Sequence, residues 1–145
     1  MSVVTSYRLR LQRKRWRLRA LRKRRELFCQ QDQTHLIRAD DVLVFSTIRN
    51  ERVRLPYFLE YYRKLGVAHF FFVDNNSTDG SREYLNGQPD VSVWVSTRSY
   101  KRARFGMDWQ NWLLRRYAHG HWTLTVDPDE FFVYPDCVEK LRFRA

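Results

Sequence analysis

Residues 69–81 read HFFFVDNNSTDGS. The unbroken run HFFFV has no polar alternation and predicts a short strand buried on both faces, as in a parallel sheet. Asp, Asn, Ser and Gly in the eight residues that follow favour tight turns, so the strand ends in a polar loop. The stretch therefore reads as an interior strand delivering polar side chains at its carboxyl end. Upstream, DVLVFST (41–47) predicts a second buried strand. Between them, Leu55, Phe58, Leu59, Tyr62 and Leu65 recur at three- and four-residue spacing, which predicts a helix over Asn50–Leu65, stopped by Gly66. Downstream come a short helix over Ser81–Leu85, a strand VSVWV (91–95), a helix over Met107–Ala118 ended by Gly120, and a strand WTLTV (122–126). Strands alternating with helices predict an α/β domain with a parallel sheet and helices on both faces. Phe70, Phe71, Phe72, Trp94 and Trp122 are expected in its core.

Net charge is +11 for 145 residues, but it is unevenly spread. Residues 1–38 hold 12 of the 27 Lys and Arg, against Glu26 and Asp32, for about +10. The remaining 15 cations face 14 acids, for about +1. That asymmetry predicts a basic arm and linker over residues 1–40 and a nearly neutral domain over 41–145. The arm contains RLRLQRKRWRLRALRKRR (8–25), rich in helix formers. Leu9, Trp16, Ala20 and Leu27 fall on one helical face, widened by Leu21 and Phe28, while Leu11 and Leu18 fall roughly opposite. A solvated basic helix, an anionic membrane surface and nucleic acid all suit such a segment; nucleic acid is the least favoured partner.

The two cysteines, Cys29 and Cys137, belong to no CxxC pair, so no thiolate metal site is implied. A reduced, cytoplasmic protein is expected, peripheral on the inner face of the membrane if the arm binds lipid. Residues 8–25 contain no apolar core of a secretory signal.

The chemistry gathers at the strand ends, where open α/β sheets bind ligands. Thr47, Arg49 and Glu51 follow the first strand, Asp74, Asn76 and Asp79 the second, and Asp127-Pro128-Asp129-Glu130 the last. Two carboxylates one residue apart suit a hard cation, Mn²⁺ or Mg²⁺, that also binds phosphate oxygens. Such an ion would stabilise charge on a departing diphosphate. Asp74 could accept the imide N–H of uracil, which favours a UDP-sugar. Glu51 could bond ribose or base, and Arg49 phosphate; as structural alternatives, Asn50 would cap the following helix, with Glu51 in its first turn. Asn76 is counted with the nucleotide-binding residues. His119-Gly120-His121 and the basic loop Lys101, Arg102, Arg104 are expected to be solvated.

The succession RNE (49–51), LPYFLEYYRKLGVAHFFFVDNNSTDGS (55–81), GMDWQNWLLRRYAHGHW (106–122) and DPDEF (127–131) resembles the family 2 glycosyltransferases, in particular the bacterial branch with an Arg-Asn-Glu first loop. The resemblance implies a GT-A fold, a Rossmann-like α/β sandwich with a mostly parallel sheet, and, in general, inverting transfer from a nucleotide-sugar to a glycan, lipid or protein acceptor. It also implies that Thr47 and Glu51 contact the nucleoside, Asp74 the base and Asp127 the ribose, that Asp129 holds the metal of a DXD motif, that Asn111 lines the donor site, and that Asp79 closes the second strand's turn. The usual paired Asp after that strand is Asp74-Asn75 here. By the same resemblance the chain corresponds to the donor-binding part alone, with the catalytic base expected beyond Ala145 and the chain read as truncated. Two other functions are weighed. A sugar nucleotidyltransferase would carry a glycine-rich phosphate loop near its start, whereas the first glycine here is Gly66. A non-enzymatic protein would act through the basic arm on membrane or nucleic acid.

Overall fold

A computed structural model describes residues 3–133. Cys137 therefore lies outside the described residues. The described residues form an α/β sandwich around a five-stranded sheet in the order β1-β4-β3-β2-β5. The strands are β1 (Phe28–Gln31), β2 (Val42–Ile48), β3 (Val67–Asp74), β4 (Val91–Val95) and β5 (Trp122–Thr125). The helices are α1 (Val3–Lys23), α2 (Leu55–Leu65), α3 (Ser81–Asn86) and α4 (Met107–Tyr117). β2 through β5 are parallel, and β1 runs antiparallel on β4.

The expected alternation of strands and helices from β2 to β5 is present, and β2 and β3 are buried along nearly their whole length. Successive side chains point to opposite faces. Val44, Ile48, Phe70 and Phe72 thus pack against Phe58, Leu59 and Tyr62 of α2. Leu43, Phe45, Phe71 and Val73 pack against Trp109 and Leu113 of α4 on the other face. Phe45 stacks on Phe71 with ring centroids 4.5 Å apart.

Four expectations are corrected. The helix after β2 begins at Leu55, not Asn50, with Pro56 in its first turn. Asn50 adopts a left-handed φ of 57° and caps no helix; it clips two loops together, accepting from Thr78 N–H at 2.8 Å and donating its own N–H to Ser77 Oγ at 2.9 Å. Trp122 is 61% exposed, because it opens strand β5, which among the described residues has a sheet neighbour on β2 alone. Residues 28–31, read as the end of the arm, form edge strand β1. Their FCQQ pattern is mostly exposed, so no apolar periodicity announces the strand.

The arm is helical and packs on α4. Ala20 is buried there, Arg19 Nε lies 3.1 Å from Asp108 Oδ2, and Trp109 Nε1 donates to Glu26 Oε2 at 3.0 Å. No helix of the described residues is long and apolar enough to cross a membrane.

Candidate functional site

The strand order creates the site. From β2 the chain steps to β3 and β4 on one side, then returns to β5 on the other side of β2. Such a reversal leaves a crevice at the carboxyl ends of the diverging strands. A cleft of about 320 Å³ lies at that point, lined by Thr47, Ile48, Arg49, Glu51, Asn75, Tyr100, Asp127, Pro128 and Asp129. A second, more cationic hollow of about 530 Å³ shares Arg49, Asn75 and Tyr100 with it and adds Asn76, Arg98 and Lys101.

One wall is the DPDEF turn. Pro128 is buried, whereas Asp127, Asp129 and Glu130 are exposed. Glu130 Oε2 accepts from Asp127 N–H at 3.2 Å. Partial burial and the neighbouring Glu130 and Asp129 carboxylates push Asp127 above the usual carboxylate range. The turn is held from below by α2. Tyr62 Oη donates to the Glu130 carbonyl at 3.1 Å and accepts from Phe132 N–H at 3.1 Å. Tyr61 Oη donates to the Phe132 carbonyl at 3.0 Å, and Phe131 packs among the rings of Tyr57, Phe58, Tyr61 and Tyr62. The carboxylates thus stand on an aromatic platform that leaves their oxygens facing solvent.

The opposite wall comes from β2 and the loop after β4. Thr47 is nearly buried, and its hydroxyl accepts from Gln110 Nε2 at 3.0 Å. Gly106 lets α4 start this close. Its φ is +77°, and a Cβ there would sit 2.7 Å from Thr47 Oγ1. Arg49 is exposed in both hollows. Glu51 pairs with Arg54 at 2.6 Å. Asn75 is buried and ties β3 to the β4 loop, donating from Nδ2 to the Ser96 and Arg98 carbonyls at 2.8 and 2.9 Å. Burial, with the nearby Asp127 carboxylate, raises the Tyr100 phenol.

The expected residues therefore separate. Thr47, Arg49, Glu51, Asp127 and Asp129 share one cleft, and Asn76 lines the adjoining hollow. Asp74, Asp79 and Asn111 line neither. Asp74 is fully buried, accepting from Arg82 Nε at 2.7 Å and Ser77 N–H at 3.0 Å. Asp79 binds Arg52 N–H at 2.9 Å and Ser81 N–H at 3.0 Å. Burial acts to raise Asp79, but these bonds and that of the Ser81 hydroxyl outweigh it and hold the carboxyl below its ordinary value. Asn111 is half-buried on α4, one residue past the Gln110 that reaches β2.

Tyr100 and Gln110 were not singled out from sequence. Tyr100 sits in a basic loop that reads as solvated, and Gln110 among apolar positions of a helix. Of the histidines, His121 Nδ1 lies 3.1 Å from the Asp41 carbonyl and His119 is exposed. Among the described residues no group of three or more His, Cys, Asp or Glu is arranged to hold a metal ion. An ion at the DPDEF turn would have to draw part of its shell from a ligand, and the hard oxygens of Asp127 and Asp129 suit one that does.

A curated relative of the chain is a glycosyltransferase family 92 protein of Oryza sativa subsp. japonica. It is 27% identical over 106 residues, which cover 68% of this chain and 17% of the relative. The chain is thus similar, at a distance, to part of a glycosyltransferase. The similarity supports glycosyl transfer in general and does not support placement in family 2, since the relative carries the family 92 name. No protein-family profile matches the chain. No solved structure matches it either.

Proposed function

We propose that this chain is the donor-binding part of a metal-assisted glycosyltransferase, taking a nucleoside-diphosphate sugar with Mn²⁺ or Mg²⁺. The observation that carries the reading is the cleft at the sheet reversal, which the exposed Asp127 and Asp129 line together with Arg49. Carboxylates alone would repel a diphosphate, and a cation between them and the phosphates removes that repulsion. Arg49, with Arg98 and Lys101 in the adjoining hollow, supplies further positive charge for phosphate oxygens. The distant glycosyltransferase similarity supports the same reading.

In this reading Asp129 and Asp127 hold the ion, and Thr47, Glu51 and Asn76 surround the nucleoside. Asp74 and Asp79 shape the turn beside it. The ion neutralises charge on the leaving diphosphate. The base of the donor is left to the titration below, and the acceptor is a glycan, lipid or protein.

Calorimetric titration of UDP, GDP and CDP, with and without Mn²⁺, tests the proposal. Binding of one nucleotide that requires the metal is the expected result. Absence of nucleotide binding by protein whose circular dichroism shows a folded α/β domain would overturn it.

A further inference from the structure

Helix α1 carries apolar residues on two opposite sides, and its contact with α4 runs along the inner one. The inner side holds Leu9, Trp16 and Ala20, of which Leu9 and Trp16 stay 40% and 48% exposed. Ala20 is buried against α4, the Arg104 guanidinium lies 5.0 Å from the Trp16 ring centroid, and Arg19 Nη2 donates to the Arg102 carbonyl at 3.2 Å. The outer side holds Tyr7, Leu11, Leu18 and Leu21, at intervals of four, seven and three residues that keep one helical stripe; Leu21, expected to widen the inner face, turns to this side because one residue past Ala20 rotates by about 100°. These side chains are 63%, 44%, 57% and 42% exposed. Lys14 completes the stripe. Arg10 and Arg17 border it on one flank, Arg15 and Arg22 on the other, and α1 contains no acidic residue. Because the two stripes lie opposite each other, they cancel in any single-face measure of amphipathicity and hide the outer one.

A second copy of the helix is a poor partner for this face, since stripe-to-stripe packing would set arginine flanks against arginine flanks. Nucleic acid would engage the arginines but leave four large apolar side chains in water. An anionic bilayer takes both: the stripe enters the acyl boundary while the arginines reach lipid phosphates at the same depth. We propose that the outer face of α1 is a docking surface for an anionic lipid bilayer, with the helix lying in the plane of the interface. The inner face stays bound to α4 and to the Arg102–Arg104 segment next to cleft residue Tyr100, so docking holds the cleft beside the membrane surface. The proposal rests on the helix and stands apart from the donor reading.

Co-sedimentation of the full chain with vesicles tests it. The protein is expected to sediment with equal parts phosphatidylglycerol and phosphatidylcholine, and not with phosphatidylcholine alone. Leu11→Gln with Leu18→Gln is expected to weaken partition on the order of tenfold or more, by loss of two buried apolar side chains. Arg10→Gln with Arg17→Gln is expected to weaken it on the order of tenfold. Circular dichroism and calorimetric nucleotide titration of both variants should match the parent, which separates this surface from the cleft. Equal binding to both vesicle types, binding to neither, or undiminished binding by the leucine variant with competition by duplex DNA would each overturn the proposal.

Discussion

Two acidic turns leave the same edge of the sheet, and they have opposite fates. The turn after β3 contains Asp74 and Asp79; the turn after β5 contains Asp127, Asp129 and Glu130. In the first, each carboxylate already has partners from the protein. Asp74 holds Arg82 in an ion pair at 2.6 Å, and Asp79 is bound by backbone N–H groups of Arg52 and Ser81. In the second, the carboxylates are exposed, and burial and mutual repulsion raise Asp127. A turn whose charges are satisfied internally is part of the scaffold. One whose like charges are held together on an aromatic base keeps them open to a cation, as the proposed function requires. A run of acids at a strand end thus does not itself distinguish a ligand site from a structural turn; what matters is where the neighbouring donors lie.

The comparison can be broken most directly at Asp74. Asp74→Ala should lower unfolding free energy by about 3–5 kcal/mol, because Arg82 loses its buried partner. Chemical denaturation measures this, and a loss under about 1 kcal/mol would make the first turn as dispensable to the fold as the second. His69, on the strand that carries the first turn, comes next. It is buried, with Nε2 2.9 Å from Ser92 Oγ, and burial lowers its pKa to about 4 despite nearby Asp90, Asp41 and Asp32. The unfolded chain binds this proton near pH 6.5 and the folded one only near 4, so stability should fall as pH drops through that window. The loss is on the order of 3 kcal/mol by linkage. Denaturation midpoints against pH should show it, and His69→Gln should flatten that part of the curve.

Tyr62→Phe sharpens the contrast from the other side. It removes the hydroxyl that joins Glu130 and Phe132 to α2, and should cost about 1–2 kcal/mol while weakening metal-dependent nucleotide binding. Full retention of binding would show that the second turn needs no such platform. The smallest stability effect belongs to Asp129→Asn, which should stay within about 0.5 kcal/mol of the parent. The same variant should lose Mn²⁺-dependent nucleotide binding in calorimetry; an unchanged Mn²⁺ requirement would remove Asp129 from the metal site.

Much of this architecture was readable from local chemistry. Apolar runs such as HFFFV and the helical spacing of Leu55, Phe58, Leu59, Tyr62 and Leu65 carry their own burial signal, because the side chains that leave water are those that form the pattern. Edge strand β1 escaped, since FCQQ is mostly exposed and owes its conformation to backbone pairing with β4. The start of α2 was misjudged because Asn50, a good cap by residue type, is committed to Ser77 and Thr78, nearly 30 residues away in sequence. Of the proposed site, strand-end position brought out Thr47, Arg49, Glu51, Asp127 and Asp129, whereas Tyr100 and Gln110 depend on how a loop and a helix approach β2.

The sequence by itself determined the alternating strands and helices, the concentration of positive charge in the first 38 residues, and the edge at which polar turns would gather. These follow from side-chain hydrophobicity, turn preference and charge, which act over a few residues. Only the tertiary structure decided that Asp74 serves Arg82 while Asp127 and Asp129 face a cleft. The same is true of α1, which buries Ala20 against α4 while Tyr7, Leu11, Leu18 and Leu21 stand exposed on its other side. Those outcomes depend on which groups arrive opposite one another after the chain folds back, and no local pattern encodes the partner.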